Sequence, residues 1–142
     1  MLKGIPAIIS PELLKVLSEM GHGDEIVIAD GNFPAASVAK TNNNILLRAD
    51  GHGVVELLKA ILVVMPLDTY TTPVHIMEKV PGDPVATPIW DEFQNAIKEH
   101  TDKEMGTIER FAFYERAKTA YAVISTSEKA LYGNIILKKG VV

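Results

Sequence analysis

The stretch Met20–Pro34, "MGHGDEIVIADGNFP", decides the architecture. Its centre, "EIVIAD" (Glu25–Asp30), reads as a short strand. The residues Ile26 to Ala29 are apolar without alternation. A strand apolar on both faces is buried on both, which happens in a parallel or mixed sheet covered by helices on each side. His22 stands between two glycines before this strand, and Asp30 ends it before Gly31-Asn32. Both residues are open to two readings. They are turn and cap punctuation, or they are two walls of a reactive pocket.

The flanking elements fit that sheet. Upstream, Ser10-Pro11 opens a helix, with a capping hydroxyl followed by proline in the first turn. Leu13, Leu14, Val16 and Leu17 form its apolar stripe, and Gly21 is the expected stop. Downstream, "PAASVAKTNNN" (Pro34–Asn44) reads as a loop with Asn42–Asn44 at its tip. "ILLRADG" (Ile45–Gly51) reads as a second strand. Val54, Val55, Leu57, Leu58, Ile61, Leu62 and Met65 carry the 3.6-residue period of a core helix. "PVHIMEKV" (Pro73–Val80) is a third strand, followed by the connector "VPGDPVATP". A helix is expected over Pro88–His100, with Ile89, Phe93 and Ile97 on one side. A strand is then expected at Thr107–Arg110, a helix from Phe113 to Thr119, a strand at Tyr121–Thr126, and a last strand in "NIILKKG" (Asn134–Gly140). Strands and helices alternate, and no repeat, low-complexity segment or linker divides residues 1–142. The expected fold is a single layered α/β/α domain with a mixed or parallel central sheet.

Composition narrows the function classes. The 142 residues are 47% hydrophobic and 23% charged, with a formal net charge of -4. This is a globular balance without the basic footprint of a nucleic-acid binder. The chain has no cysteine, which excludes disulfides, thiolate metal ligands and thiol catalysis, and fits the cytoplasm. The most apolar run, Leu57–Leu67, carries Lys59 and falls far short of the roughly 20 residues of a membrane span. His52, His75 and His100 are scattered, and no HxH or HExxH spacing suggests a metal. Phosphate-loop, dinucleotide and hydrolase-elbow motifs are absent.

What remains is a small set of polar residues in loops. His22, with glycine on either side, has the freedom and intrinsic proton affinity of a general acid or base, or else it caps a helix. Asp30 and Asp50 end strands, where α/β sheets gather ligands, or else they form Asx turns. Arg110 lies in "ERFAFYERA" and could clamp a hydroxyl or carboxylate, or pair with Glu109 or Glu115. Tyr114 is a core aromatic or a pocket phenol. Tyr132 and Asn134 around Gly133 are neutral partners suited to sugar hydroxyls, or a turn.

Four segments, "SPELLKVLSEMGHGDEIVIADGNFP", "LRADG", "ERFAFYERAKTAYAVI" and "LYGNIILKKGV", closely resemble the L-fucose mutarotase family, a branch of the ribose pyranase superfamily. The resemblance runs from Leu2 to Val141. It implies a ribose-pyranase-like fold and an isomerase that interconverts the α and β anomers of a free aldose, with L-fucose the leading substrate. It also implies a homo-oligomer and no cofactor. His22 matches the family's proton donor. Asp30, Arg110 and the run Tyr132, Gly133, Asn134 match its substrate-binding positions, and Tyr114 is a reserve for the opposing proton role. The family's "AHFPAHS" loop is replaced here by one with Gly31, Asn32 and Ala36, a departure that bears on sugar preference more than on reaction type. Ribose pyranase chemistry and non-catalytic monosaccharide binding are the alternatives.

The implied chemistry is light. Ring opening needs one proton removed from the anomeric hydroxyl and one delivered to the ring oxygen, which positioned acid–base groups accelerate. Geometry adds a constraint. A four- or five-residue strand separates His22 from Asp30 by about 13–17 Å. A straight strand therefore forbids both from touching one monosaccharide within one subunit. The expected site lies at a subunit interface.

Overall fold

The computed structural model describes residues Met1–Val142. Eleven elements follow in order: α1 (Pro11–Glu19), β1 (Glu25–Ala29), α2 (Ala35–Thr41), β2 (Ile45–Ala49), α3 (Val54–Val64), β3 (Val74–Met77), α4 (Pro88–Ile97), β4 (Gly106–Ile108), α5 (Arg110–Lys118), β5 (Ala122–Thr126) and β6 (Ile135–Lys138). The strands form one six-stranded sheet in the order β2-β5-β1-β6-β3-β4. β5 runs parallel to both β1 and β2, and β3 runs parallel to β4. β6 lies antiparallel between β1 and β3. The other five strands therefore point one way, and their carboxyl ends share an edge with the amino end of β6.

The non-alternating apolar run of β1 has the consequence expected of it. Ile26 and Ile28 belong to a 25-residue core beneath α1, α3 and α4, which includes Leu57, Ile61, Phe93 and Ile97. Val27 and Ala29 belong to a second core of 12 residues beneath α2 and α5, with Val38, Phe113 and Ile136. Period-two side-chain alternation on a central strand thus serves two helical layers. The domain is α/β/α with a mixed sheet.

The opening of α1 follows its sequence signal. Ser10 Oγ accepts from Leu13 N at 3.1 Å, and Pro11 occupies the first turn. Ser10→Ala is expected to cost about 1 kcal/mol of stability in urea denaturation.

Beside shorter ends, such as α4 stopping at Ile97 rather than His100, two boundaries differ from the sequence reading. Pro34–Asn44 is not all loop, because α2 spans Ala35–Thr41 within it. Ala35, Val38 and Ala39 fall on one face and are buried against the second core. Three short apolar residues carry little periodic signal beside the run of asparagines. That run is itself anchored, since Asn42 and Asn44 each donate through Nδ2 to the Lys118 carbonyl at the end of α5. The second difference is at α5, which starts at Arg110 rather than Phe113, while β4 ends at Ile108. Glu109 caps the helix, its carboxylate accepting from Phe111 N and Ala112 N at 3.0 Å each. Arg110 is therefore the first residue of a helix and not the last of a strand.

Candidate functional site

The carboxyl edge of the sheet holds a cavity of about 290 Å³, lined by Asp30, Arg110, Tyr114, Tyr132 and Asn134 among others. Its size is near the lower end of the roughly 300–1,000 Å³ typical of small-molecule sites. The loop after β1 supplies Asp30 and Phe33, the start of α5 supplies Arg110 and Tyr114, and the turn before β6 supplies Tyr132 and Asn134. Residues 80–104 apart in sequence meet here because β6 enters the sheet between β1 and β3.

Asp30 organises one wall. It is 4% exposed. Its Oδ1 accepts from Asn32 N and Phe33 N at 3.0 and 2.9 Å, and its Oδ2 from Gly133 N and Asn134 Nδ2 at 3.2 and 3.0 Å. Asn134 Oδ1 in turn accepts from Asp30 N at 2.8 Å. The Asx turn expected after β1 is present, and the same carboxylate also ties the β1 loop to the β6 turn. Burial pushes the Asp30 carboxyl up, and the backbone donors pull it back down. These four donors fill the acceptor positions of a carboxylate.

Arg110 pairs with neither Glu109 nor Glu115. Its Nε donates to Tyr114 Oη at 3.1 Å, and its guanidinium carbon lies 5.4 Å from the Phe111 ring centroid and 5.6 Å from that of Tyr114. These contacts hold the guanidinium beside two aromatic rings while leaving donors for a ligand. The Phe33 ring packs 5.4 Å from Tyr114, edge to face, and steadies that side of the cavity.

The turn before β6 is held on every side. Tyr132 adopts φ +57°, a left-handed conformation uncommon outside glycine. Trp90 Nε1 donates to the Tyr132 carbonyl at 2.9 Å. The phenol donates to Asp83 Oδ2 at 2.6 Å and accepts from Val80 N at 3.1 Å. This exchange holds the Asp83 carboxyl below the usual range and pushes the Tyr132 phenol up.

His22 is not in this cavity. It precedes β1, so it sits at the opposite edge of the sheet, with its side chain 41% exposed. Its Nε2 lies 2.9 Å from Oδ1 of Asp68, whose side chain is only 3% exposed. Asp68 Oδ2 accepts from Thr71 Oγ1 at 2.7 Å and Thr71 N at 3.1 Å. The Thr71 hydroxyl, then His22, hold the Asp68 carboxyl well below the usual range. An ionised Asp68 accepts only, so Nε2 carries the donated proton and Nδ1 is left without a partner in the chain. The Tyr70 ring lies 5.4 Å from the imidazole. Gly23, at φ +88°, is the flanking glycine whose conformation the turn requires.

Five of the residues singled out in the sequence line one cavity, Gly133 stands behind it with its amide on Asp30, and His22 is left at the far edge, as the strand length had required. The sequence reading missed Asp68, Thr71, Asp83 and Trp90. Asp83 sits in "VPGDPVATP", where proline and glycine signalled only a connector, and nothing local points to a tyrosine 49 residues away. Asp68, 46 residues from His22, is equally silent. No helix is long and apolar enough to cross a membrane.

Comparison with known proteins bears on this geometry. The model of the RbsD / FucU transport protein family matches residues 3–142. A fucose mutarotase of Danio rerio is 54% identical over 99% of this chain and 94% of its own length. The crystal structure of FucU from Bifidobacterium longum superposes with a TM-score of 0.95 at 64% identity, covering 99% of each chain. The crystal structure of the Streptococcus pneumoniae fucose mutarotase in complex with L-fucose superposes with a TM-score of 0.92 at 51% identity, again over 99% of each chain.

Proposed function

The chain belongs to the RbsD / FucU transport protein family, and from that premise we propose that it is an L-fucose mutarotase, an isomerase exchanging the α and β anomers of the free sugar. The observation that carries this reading is the full-length match, at 51% identity, to a fucose mutarotase solved with L-fucose bound. The carboxyl-edge cavity supplies the chemistry such a ligand needs. It offers a guanidinium, a phenol and an amide, each held by hydrogen bonds to neighbouring residues.

In this reading Arg110, Tyr132 and Asn134 hold the sugar hydroxyls, with the Gly133 amide tied to Asp30 behind them. Asp30 acts mainly behind them, because its carboxylate is occupied by the β1 loop and the β6 turn. His22, protonated on both ring nitrogens, delivers the proton to the ring oxygen through Nδ1, and Asp68 fixes the ring's orientation and, once Nδ1 is bare, its Nε2–H tautomer. The two groups lie at opposite edges of one sheet, so the His22 edge of one subunit closes the cavity of another. The protein therefore works as a homo-oligomer on a monosaccharide, in the proposed setting of the cytoplasm. Dilution to monomers is expected to abolish exchange, as activity followed across the dissociation range will report.

Saturation-transfer NMR on L-fucose and D-ribose tests the function. Exchange well above the buffer rate is expected with L-fucose. Preference for ribose pyranose–furanose exchange would instead favour a ribose pyranase. Binding by calorimetry with exchange at the buffer rate would leave only a sugar-binding protein.

A further inference from the structure

Ring opening needs a base as well as an acid, and two tyrosines reach the cavity with opposite hydrogen-bond polarity. Tyr114 Oη accepts from Arg110 Nε, so its oxygen faces a cation and its own proton is uncommitted. Tyr132 is the reverse. Its proton is directed to Asp83 Oδ2 at 2.6 Å, within the roughly 2.5–2.7 Å of a charge-assisted O–H···O⁻ bond. One lone pair accepts from Val80 N. One acceptor position is left, on a residue that lines the cavity. The phenol has little freedom to turn away, because Trp90 holds its carbonyl and Asp30 holds the next amide. Asp83 is fixed in turn, its Oδ1 accepting from Val85 N at 3.0 Å.

We propose that Tyr132, backed by Asp83, is the base that removes the anomeric proton. This rests on the mutarotase reading above. The anomeric O–H breaks and its proton passes to Tyr132 Oη, while the phenol's own proton passes to Asp83 Oδ2. The electron pair left on the anomeric oxygen forms the carbonyl. The bond between the anomeric carbon and the ring oxygen breaks, and its pair takes the proton delivered by the acid. Closure on the other face returns both protons, so nothing is consumed or oxidised. Tyr114 is unsuited to this role because no carboxylate stands behind its own proton to take the relay, as Asp83 does for Tyr132. Asp83 acts through Tyr132 and is a positioning residue that accepts the relayed proton.

The test is saturation-transfer NMR on L-fucose with wild type, Asp83→Asn, Tyr132→Phe and the double variant. Asparagine has one oxygen for the two donors that Asp83 holds, Tyr132 Oη and Val85 N, and it is a far weaker proton acceptor. Each single change is expected to lower kcat by about 10²-fold or more, with KM unchanged in Asp83→Asn and raised modestly in Tyr132→Phe, which also loses a sugar contact. The double variant is expected to be no worse than either, as for residues that act as a unit. Asp83→Glu is expected to recover part of the rate. A wild-type kcat in Asp83→Asn, a KM rise that accounts for the whole loss, or losses that multiply would overturn the relay. If Asp83→Asn fails to fold, Tyr132→Phe alone decides, since a wild-type kcat there overturns it equally. A wild type that leaves L-fucose at the buffer rate would instead sink the mutarotase reading.

Discussion

His22→Ala is expected to lower L-fucose anomer exchange by about 10²–10⁴-fold, the contribution of one positioned acid–base group. The fold should survive the change. His22 is half exposed, and its contacts are Asp68 and the neighbouring Tyr70 ring. Asp68 retains the Thr71 hydroxyl and amide when the imidazole goes. Rate and stability therefore separate, and saturation-transfer NMR beside urea denaturation will show both. Asp68→Asn probes the same pair from behind. The amide can present either its oxygen or its NH₂ to His22 and so loosens the tautomer, which predicts a smaller loss than removing the ring. Exchange at the wild-type rate in His22→Ala would contradict its assignment as proton donor.

Asp30→Ala is expected to fail in the opposite way, losing stability and sugar binding together. The substitution leaves the Gly133 amide and the Asn134 side-chain NH₂ without their acceptor in a buried setting, and it removes the side-chain acceptor of the Asn32 and Phe33 amides. Each unsatisfied buried group costs about 1–3 kcal/mol. Water entering the space will recover part of that, so a loss of several kcal/mol in urea denaturation is the expectation. Asp30→Asn keeps one acceptor oxygen and should be milder, but its NH₂ has to face donors. Calorimetry on L-fucose should show weakened binding in both. An Asp30→Ala variant with native stability and affinity would mean that the network does not hold the wall.

Much of this was legible in the chain because of β1. Its run without alternation called for a sheet covered on both sides, and Ile26 and Ile28 against Val27 and Ala29 are the two faces that result. Its length set His22 and Asp30 apart, and the sheet keeps them at opposite edges. The resemblance in "YGN" and "FAFYERA" pointed to the cavity's walls. α2 was not legible, because Ala35, Val38 and Ala39 are too small to mark a period and become a helix face only against the sheet. The supports of the site were hidden for a related reason. Asp68, Asp83 and Trp90 act across 42–49 residues of sequence, through hydrogen bonds that the strand order creates. Local pattern reports what a residue does to its own backbone, not which distant loop its side chain will hold.

The claim that one sugar pocket is built from two chains is tested most directly by mixing His22→Ala with Arg110→Ala. Each variant alone lacks one half of every site and is expected to exchange L-fucose slowly. Unfolded together and refolded, they form oligomers in which some cavities meet an intact His22 from one copy and an intact Arg110 from another. Exchange above the sum of the separate variants is the predicted result. Mixed oligomers, verified by native mass spectrometry, that exchange no faster than that sum would contradict a pocket shared between subunits.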